Sequence, residues 1–173
     1  MSKPSQFAIY KGTSGKFGAL QFNVADRHFF KGKEKDFTGA QALKDGKLQE
    51  GWDQREGCVF LEITSTKAPN VYDWENKIVM ALSITDMGKL LLTLATGDDC
   101  SIMHDPGAKS ESSGQIKKYL KVTSPQGLKS GVMFMVNQTQ GEQKKSHLVP
   151  VSPDEVMVLR ALLTTAISRS LGW

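Results

Sequence analysis

Only two cysteines, Cys58 and Cys100, occur in the 173 residues. That is too few for a disulfide framework and fits a reducing compartment, with both thiols read as small apolar groups in or near the core. No run approaches the roughly 20 apolar residues of a membrane-spanning helix. The opening MSKPSQFAIY has neither the apolar region of a signal peptide nor an Arg-rich amphipathic stretch, so no targeting address is legible there. No internal repeat of about 20 to 50 residues is found, which excludes solenoid and propeller architectures. Charge of one sign is also scarce: 22 basic against 18 acidic residues leave +4, which permits an anionic partner without demanding one.

What remains is a chain of one-domain length, with 39% hydrophobic and 23% charged residues, able to bury a core without metals or crosslinks. Tyr10 to Val24 reads as a strand bent or looped around Gly12 to Gly15. Residues 26–57 are polar and without a steady period, and are expected to form a long, partly disordered excursion. Cys58 to Thr64 is rich in β-formers, and Val71 to Ser83 reads as the next strand or pair of strands. Ser83 with Asp86 starts a helix carrying Met87, Leu90, Leu91 and Leu94 on one face, and Gly97 stops it. CSIMH, QIKKYLKVTS, GVMFMVNQ and HLVPV follow as strands, separated by turn residues at Asp105–Pro106–Gly107, Pro125–Gln126–Gly127 and Gln140–Gly141. Ser152–Pro153–Asp154–Glu155 opens a final helix with Val156, Leu159, Leu163 and Ile167 on its apolar face. The order predicts an α+β domain on antiparallel sheet, spanning 1–173 as a single unit.

The stretch DDCSIMHDP, residues 98–106, gathers three aspartates, a cysteine and a histidine. On a strand, Cys100 and His104 share a face but stand about 13 Å apart. Two ligands of one zinc lie within about 4 Å of each other, so an extended CSIMH cannot close such a site. A Cys–His nucleophile pair would have to be assembled in space by the fold. No H-E-x-x-H, paired C-x-x-C, G-x-S-x-G or G-x-x-x-x-G-K-[ST] is present. The glycine-rich KGTSGKFG has the wrong spacing for a phosphate loop. No enzyme, metal or cofactor is expected.

Cations beside flat rings recur instead. Lys11 and Lys16 flank Tyr10 and Phe17; Lys117, Lys118 and Lys121 surround Tyr119. Between Gly107 and Pro150 seven lysines face two glutamates, enough to account for the whole excess of positive charge. Lysines neutralise phosphates and rings stack on bases, so this combination on a sheet suits single-stranded nucleic acid, against the plainer reading of a solvated face.

The segment VYDWENKIVMALSITDMGKLLLTLATGDDCSIMHDP then resembles the Whirly family of plant single-stranded-DNA-binding proteins. Tyr72–Asp73–Trp74, Lys77, the Met87–Leu94 helix and Asp99 to Pro106 match that family's central signature. GQIKKYLKV (114–122) and the stretch from Pro150 to Trp173 match its later strand and closing helix. Tyr10–Lys11–Gly12 and Lys16 to Leu20 match its opening, split here by an insertion. Ile102–Met103 stands where the family has an aromatic pair, and the 26–57 excursion is longer than its pattern.

The resemblance implies two four-stranded antiparallel sheets packed crosswise, a short helix, and a long C-terminal helix at the centre of a homotetramer, with a heterotetramer as a variant. It implies single-stranded DNA as partner, in a mitochondrion, plastid or nucleus, with no membrane involvement. The candidate contact residues are Tyr10, Lys11, Lys16, Phe17, Lys77, His104, Lys117, Lys118, Tyr119 and Lys121, while Trp74 is expected to be buried and structural. The alternatives are an RNA-binding or annealing protein of the same fold, resembling the mitochondrial guide-RNA matchmakers of trypanosomes, then a protein–protein scaffold or transcription cofactor, and last a metal-dependent enzyme.

Overall fold

The computed structural model describes residues 6–105 and 116–173. The expected turn at Pro106–Gly107, the start of GQIKKYLKV, and Lys109 and Glu111 lie outside them. In chain order the first sheet region comprises β1 (Gln6–Tyr10) and β2 (Ala19–Ala25). The excursion follows as β3 (His28–Lys31), β4 (Glu34–Asp36), β5 (Leu43–Lys44), β6 (Lys47–Leu48) and β7 (Asp53–Arg55). The chain returns through β8 (Cys58–Thr64), the small hairpin β9 (Thr66–Ala68) and β10 (Val71–Tyr72), and β11 (Ile78–Leu82). Helix α1 (Ile84–Thr96) leads to β12 (Cys100–His104), β13 (Ile116–Thr123), β14 (Val132–Gln140), β15 (Gln143–Val151) and helix α2 (Pro153–Leu171).

Two four-stranded antiparallel sheets result, in the orders β1-β2-β8-β11 and β12-β13-β14-β15. Strand alternation gives each sheet one apolar face. In the first, Leu20 pairs with Ile63, Phe22 with Leu61 and Val24 with Val59. In the second, Leu120 pairs with Val136 and Val122 with Phe134. All of these are buried in one continuous core. The faces meet where Phe22 and Phe134 pack edge to face, with centroids 5.9 Å apart and planes at 81°.

Both helices are capped as the sequence predicts. Ser83 and Asp86 form a capping box on α1, and Gly97 (φ 83°) closes it in the left-handed region. Ser152 and Glu155 do the same for α2, with Pro153 in its first turn. Met87, Leu90 and Leu94 on α1, and Val156, Leu159, Leu163 and Ala166 on α2, complete the core. Gly18 is dictated by close approach, since a Cβ there would collide with the Thr64 carbonyl.

Two expectations are corrected. Residues 26–57 are ordered: β4-β3-β7 form a three-stranded sheet and β5-β6 a two-stranded one. Strands of two to four residues leave no period to read. The order comes largely from one buried carboxylate, Asp36, which accepts hydrogen bonds from the backbone N–H of Thr38, Gly39, Gln41 and Ala42 and from the Thr38 hydroxyl. Burial alone would raise its pKa, but these donors outweigh that and hold it far below the ordinary carboxylate range. The lobe is tied to the end of α2 by the forked Asp26–Arg169 pair (2.6 and 2.7 Å) and by Gly57 N–H donating to the Ser170 carbonyl at 3.3 Å. Trp74 is half-buried rather than buried, because the single 3-10 turn Trp74–Asn76 on which it sits buries none of its residues.

Replacing Asp36 with alanine removes the acceptor for all five donors. Limited proteolysis should then cleave within residues 37–49 much faster than in the parent chain, while the urea midpoint of the main core moves little; equal protection in both chains would contradict this role.

Candidate nucleic-acid interface

Strand β11 is one edge of the first sheet and β12 one edge of the second, and the seam between the sheets opens as a groove of about 570 Å³. Phe60 from β8 and Val79 and Ala81 from β11 line it from the outer face of the first sheet, and Met103, His104 and Lys118 line it from the second. Alternation sets which groups arrive here. Lys118 and His104 are cross-strand partners on the inner side of the second sheet, at the end where its core has run out. Lys118 Nζ donates to the Val79 carbonyl at 2.7 Å, stitching the two sheets together, and burial pulls its pKa down. His104 Nε2 lies 3.0 Å from Asp86 Oδ2, so the residue that caps α1 also fastens β12. Burial pushes the Asp86 carboxyl up, but hydrogen bonds from His104 and from the Ser83 N–H and hydroxyl hold it below the ordinary value.

The outer face of the second sheet carries the opposite parity. Its rows read Ser101–Lys121–Met135–Leu148, then Met103–Tyr119–Asn137–Ser146, then Lys117–Thr139–Lys144. Met103 is 67% exposed and Tyr119 37% exposed, with the Tyr119 hydroxyl donating to Ser101 Oγ at 2.8 Å. Lys121 and Lys144 form no ion pair with a described residue, and Lys117 meets Asp105 only at 3.7 Å with most of its side chain in water. Such an exposed pair contributes little. Lys117, Tyr119 and Lys121 therefore project together, about 7 Å apart along the strand. Met103 continues that surface into the groove.

The family model described as Whirly transcription factor matches residues 41–162.

The chain belongs to the Whirly family.

A curated Whirly relative, the mitochondrial single-stranded DNA-binding protein WHY2 of Arabidopsis thaliana, is 31% identical over 121 residues, covering 69% of this chain and 50% of that protein. The chain spans about half the length of the curated relatives it matches. Among solved structures, WHY1 from Arabidopsis thaliana superposes with a TM-score of 0.79 at 25% identity, covering 100% of this chain and 88% of that one. The trypanosome MRP1/MRP2 structure superposes with a TM-score of 0.57 at 12% identity, covering 99% and 88%, and shares the fold.

In this Whirly chain the ten candidate residues fall into four places. Lys117, Tyr119 and Lys121 share the outer face of the second sheet, and His104 and Lys118 line the groove. Tyr10, Lys11, Lys16 and Phe17 form a separate corner at the β1–β2 hairpin. There Tyr10 packs on Tyr72 at 5.2 Å, and the Phe17 carbonyl accepts from the Thr66 hydroxyl. Lys11 Nζ sits 2.9 Å from Glu155, and Lys77 Nζ sits 2.8 Å from Glu62 on the outer face of the first sheet. The sequence reading missed Phe60, Val79, Ala81, Met103 and Lys144. Parity along β8, β11, β12 and β15 would have flagged each as outward-facing. It also sorts Ile102–Met103, since Ile102 is core and only Met103 faces out. Cys100 is buried, and burial raises its thiol pKa.

Adjacent lysines on β13 thus have unlike roles. Lys118→Ala should destabilise the fold by about 1 kcal/mol through loss of the bond to Val79, whereas Lys117→Ala should stay within about 0.5 kcal/mol of the parent in urea denaturation. Equal effects would contradict the face assignment.

Proposed function

We propose that this chain is a non-enzymatic binder of single-stranded nucleic acid, mainly DNA, with little sequence preference. The observation that carries the reading is the outward row of Lys117, Tyr119 and Lys121 beside Met103 and the groove. Lysines on phosphates set affinity by releasing counterions and carry no base information. The tyrosine ring and the apolar walls of the groove receive unstacked bases, and every base has a π-face to offer. The name of the curated Arabidopsis relative supports single-stranded DNA as the ligand and an organelle as the setting; the role we propose is genome maintenance or transcription, the latter supported by the family's description. The chain acts as one nucleic-acid-binding domain.

We propose further that it assembles as a homotetramer through its helices. Helix α1 leaves Leu92 exposed and α2 leaves Met157 and Val158 exposed, an apolar set that a four-fold axis would cover. Light scattering after size exclusion should then give about four times the 19.0 kDa chain mass.

Anisotropy titrations with a single-stranded oligonucleotide across a salt series test the binding surface. Lys117→Ala and Lys121→Ala should each weaken binding and flatten the log–log salt slope by about 0.7. Lys11→Ala and Lys77→Ala should change both far less, because Glu155 and Glu62 already balance those ammonium groups. Unchanged affinity and slope in both β13 variants would reject the interface.

A further inference from the structure

The ordered lobe at 26–57 carries an aromatic surface that the groove and the second sheet do not use. In its three-stranded sheet, His28 pairs with Arg55 and Phe30 with Lys35 and Asp53, so these side chains share one face. Phe37 lies two residues beyond Lys35 and joins that face. Its ring centroid is 5.5 Å from that of His28, and His28 is 6.2 Å from Phe30. The opposite face is closed: Phe29 is fully buried, with the Arg27 guanidinium 5.0 Å over its ring, and Asp36 is engaged in its backbone bonds. Three neighbouring rings thus share this face, His28 and Phe30 half-buried and Phe37 62% exposed. Lys35 and Arg55 flank them, and Lys31 and Lys33 stand exposed at the β3–β4 turn; the opposing charges are Asp53 on the same face and the exposed Glu34 and Glu56, next in sequence to Lys35 and Arg55.

We propose that this face is a second stacking platform for single-stranded nucleic acid, on which bases lie against Phe37, His28 and Phe30 while Lys35, Arg55 and the turn lysines meet the phosphates. The assignment deepens the single-strand reading and rests on it. A row of touching rings flanked by Lys35 and Arg55 offers stacking surface and phosphate partners together, which suits a stranded polyanion better than an apolar protein partner. Topology supplies the route. The lobe leaves the first sheet after Ala25 and rejoins it at Cys58, and these two residues are paired. Phe60 of the groove is the next outward residue along β8 from Cys58. The outward side of β8 thus joins the groove to the root of the lobe.

The test uses the full chain and an oligothymidine of about 30 nucleotides carrying photoreactive iodouracil, longer than one groove needs. Crosslinked peptides are mapped by mass spectrometry, and affinity is measured by anisotropy for the parent, Phe37→Ala, Lys35→Ala and Lys121→Ala chains. Phe37 and Lys35 are exposed, so their variants keep the fold. The inference predicts crosslinks in the peptide around residues 28–37 and a loss of affinity of about tenfold in Phe37→Ala, with a smaller loss in Lys35→Ala. It is overturned if the lobe gives no crosslink and both lobe variants bind like the parent while Lys121→Ala is weakened; the single-strand reading then survives without the platform. A change of oligomeric mass in Phe37→Ala with unaltered affinity also overturns it and assigns the rings to contact between chains. Failure of the parent chain to bind the oligonucleotide rejects both readings together.

Discussion

The contact between Phe22 and Phe134 is where the two sheets commit to one another. Each sheet has a single apolar face, and neither can leave it in water, so the two must close on each other. Rings packed edge to face at 5.9 Å contribute about 0.5–1.5 kcal/mol beyond their buried area. Once the inner faces are spent on the core, most polar and cationic residues of the strands are left to the outer faces or to the seam where the core ends, with Thr64 and His147 as buried exceptions. The functional surface is the remainder of that arrangement. Lys118 and His104 occur where inward parity outlasts the core; Lys118 finds a partner across the seam in Val79, and His104 finds one in Asp86 at the start of α1.

The helices link this seam to the rest of the molecule. Asp86 belongs to the cap of α1 and to the hold on His104, so the geometry of the groove depends on how that helix starts. At the other end, α2 terminates against the excursion, where Arg169 grips Asp26 and Ser170 accepts from Gly57. The lobe is therefore positioned by the same helix whose apolar side completes the core. Stability and surface are coupled here through a few named bonds rather than through a general stiffness.

Much of the fold was legible because its signals are periodic. The 3.6-residue spacing of Met87, Leu90 and Leu94 and the S-x-x-D start placed α1, and Ser152–Pro153–Asp154–Glu155 placed α2. Alternation gave the strands from Cys58 and from Cys100 onward. The lobe was illegible because its order is not periodic: Asp36 organises a loop through backbone groups that no side-chain pattern announces. A large ring such as Trp74 reads as an anchor by type alone, whereas a single 3-10 turn leaves it half open. The candidate residues were chosen by type, lysine beside ring, and type does not say which way a residue points. Parity separates Lys118 from Lys117 and Lys121, and partners on distant strands, Glu155 and Glu62, engage Lys11 and Lys77. Those partners are legible only in three dimensions.

The central claim is that the outward lysine–aromatic face and the seam beside it accept an unpaired strand, whose bases are free to leave their stack. Duplex DNA offers the same phosphates but no free bases. Competition between a labelled single strand and unlabelled single-stranded or duplex DNA of the same sequence, at one fixed salt concentration, isolates that difference. The account predicts displacement by the single strand at far lower concentration than by the duplex; equal displacement by both would contradict it.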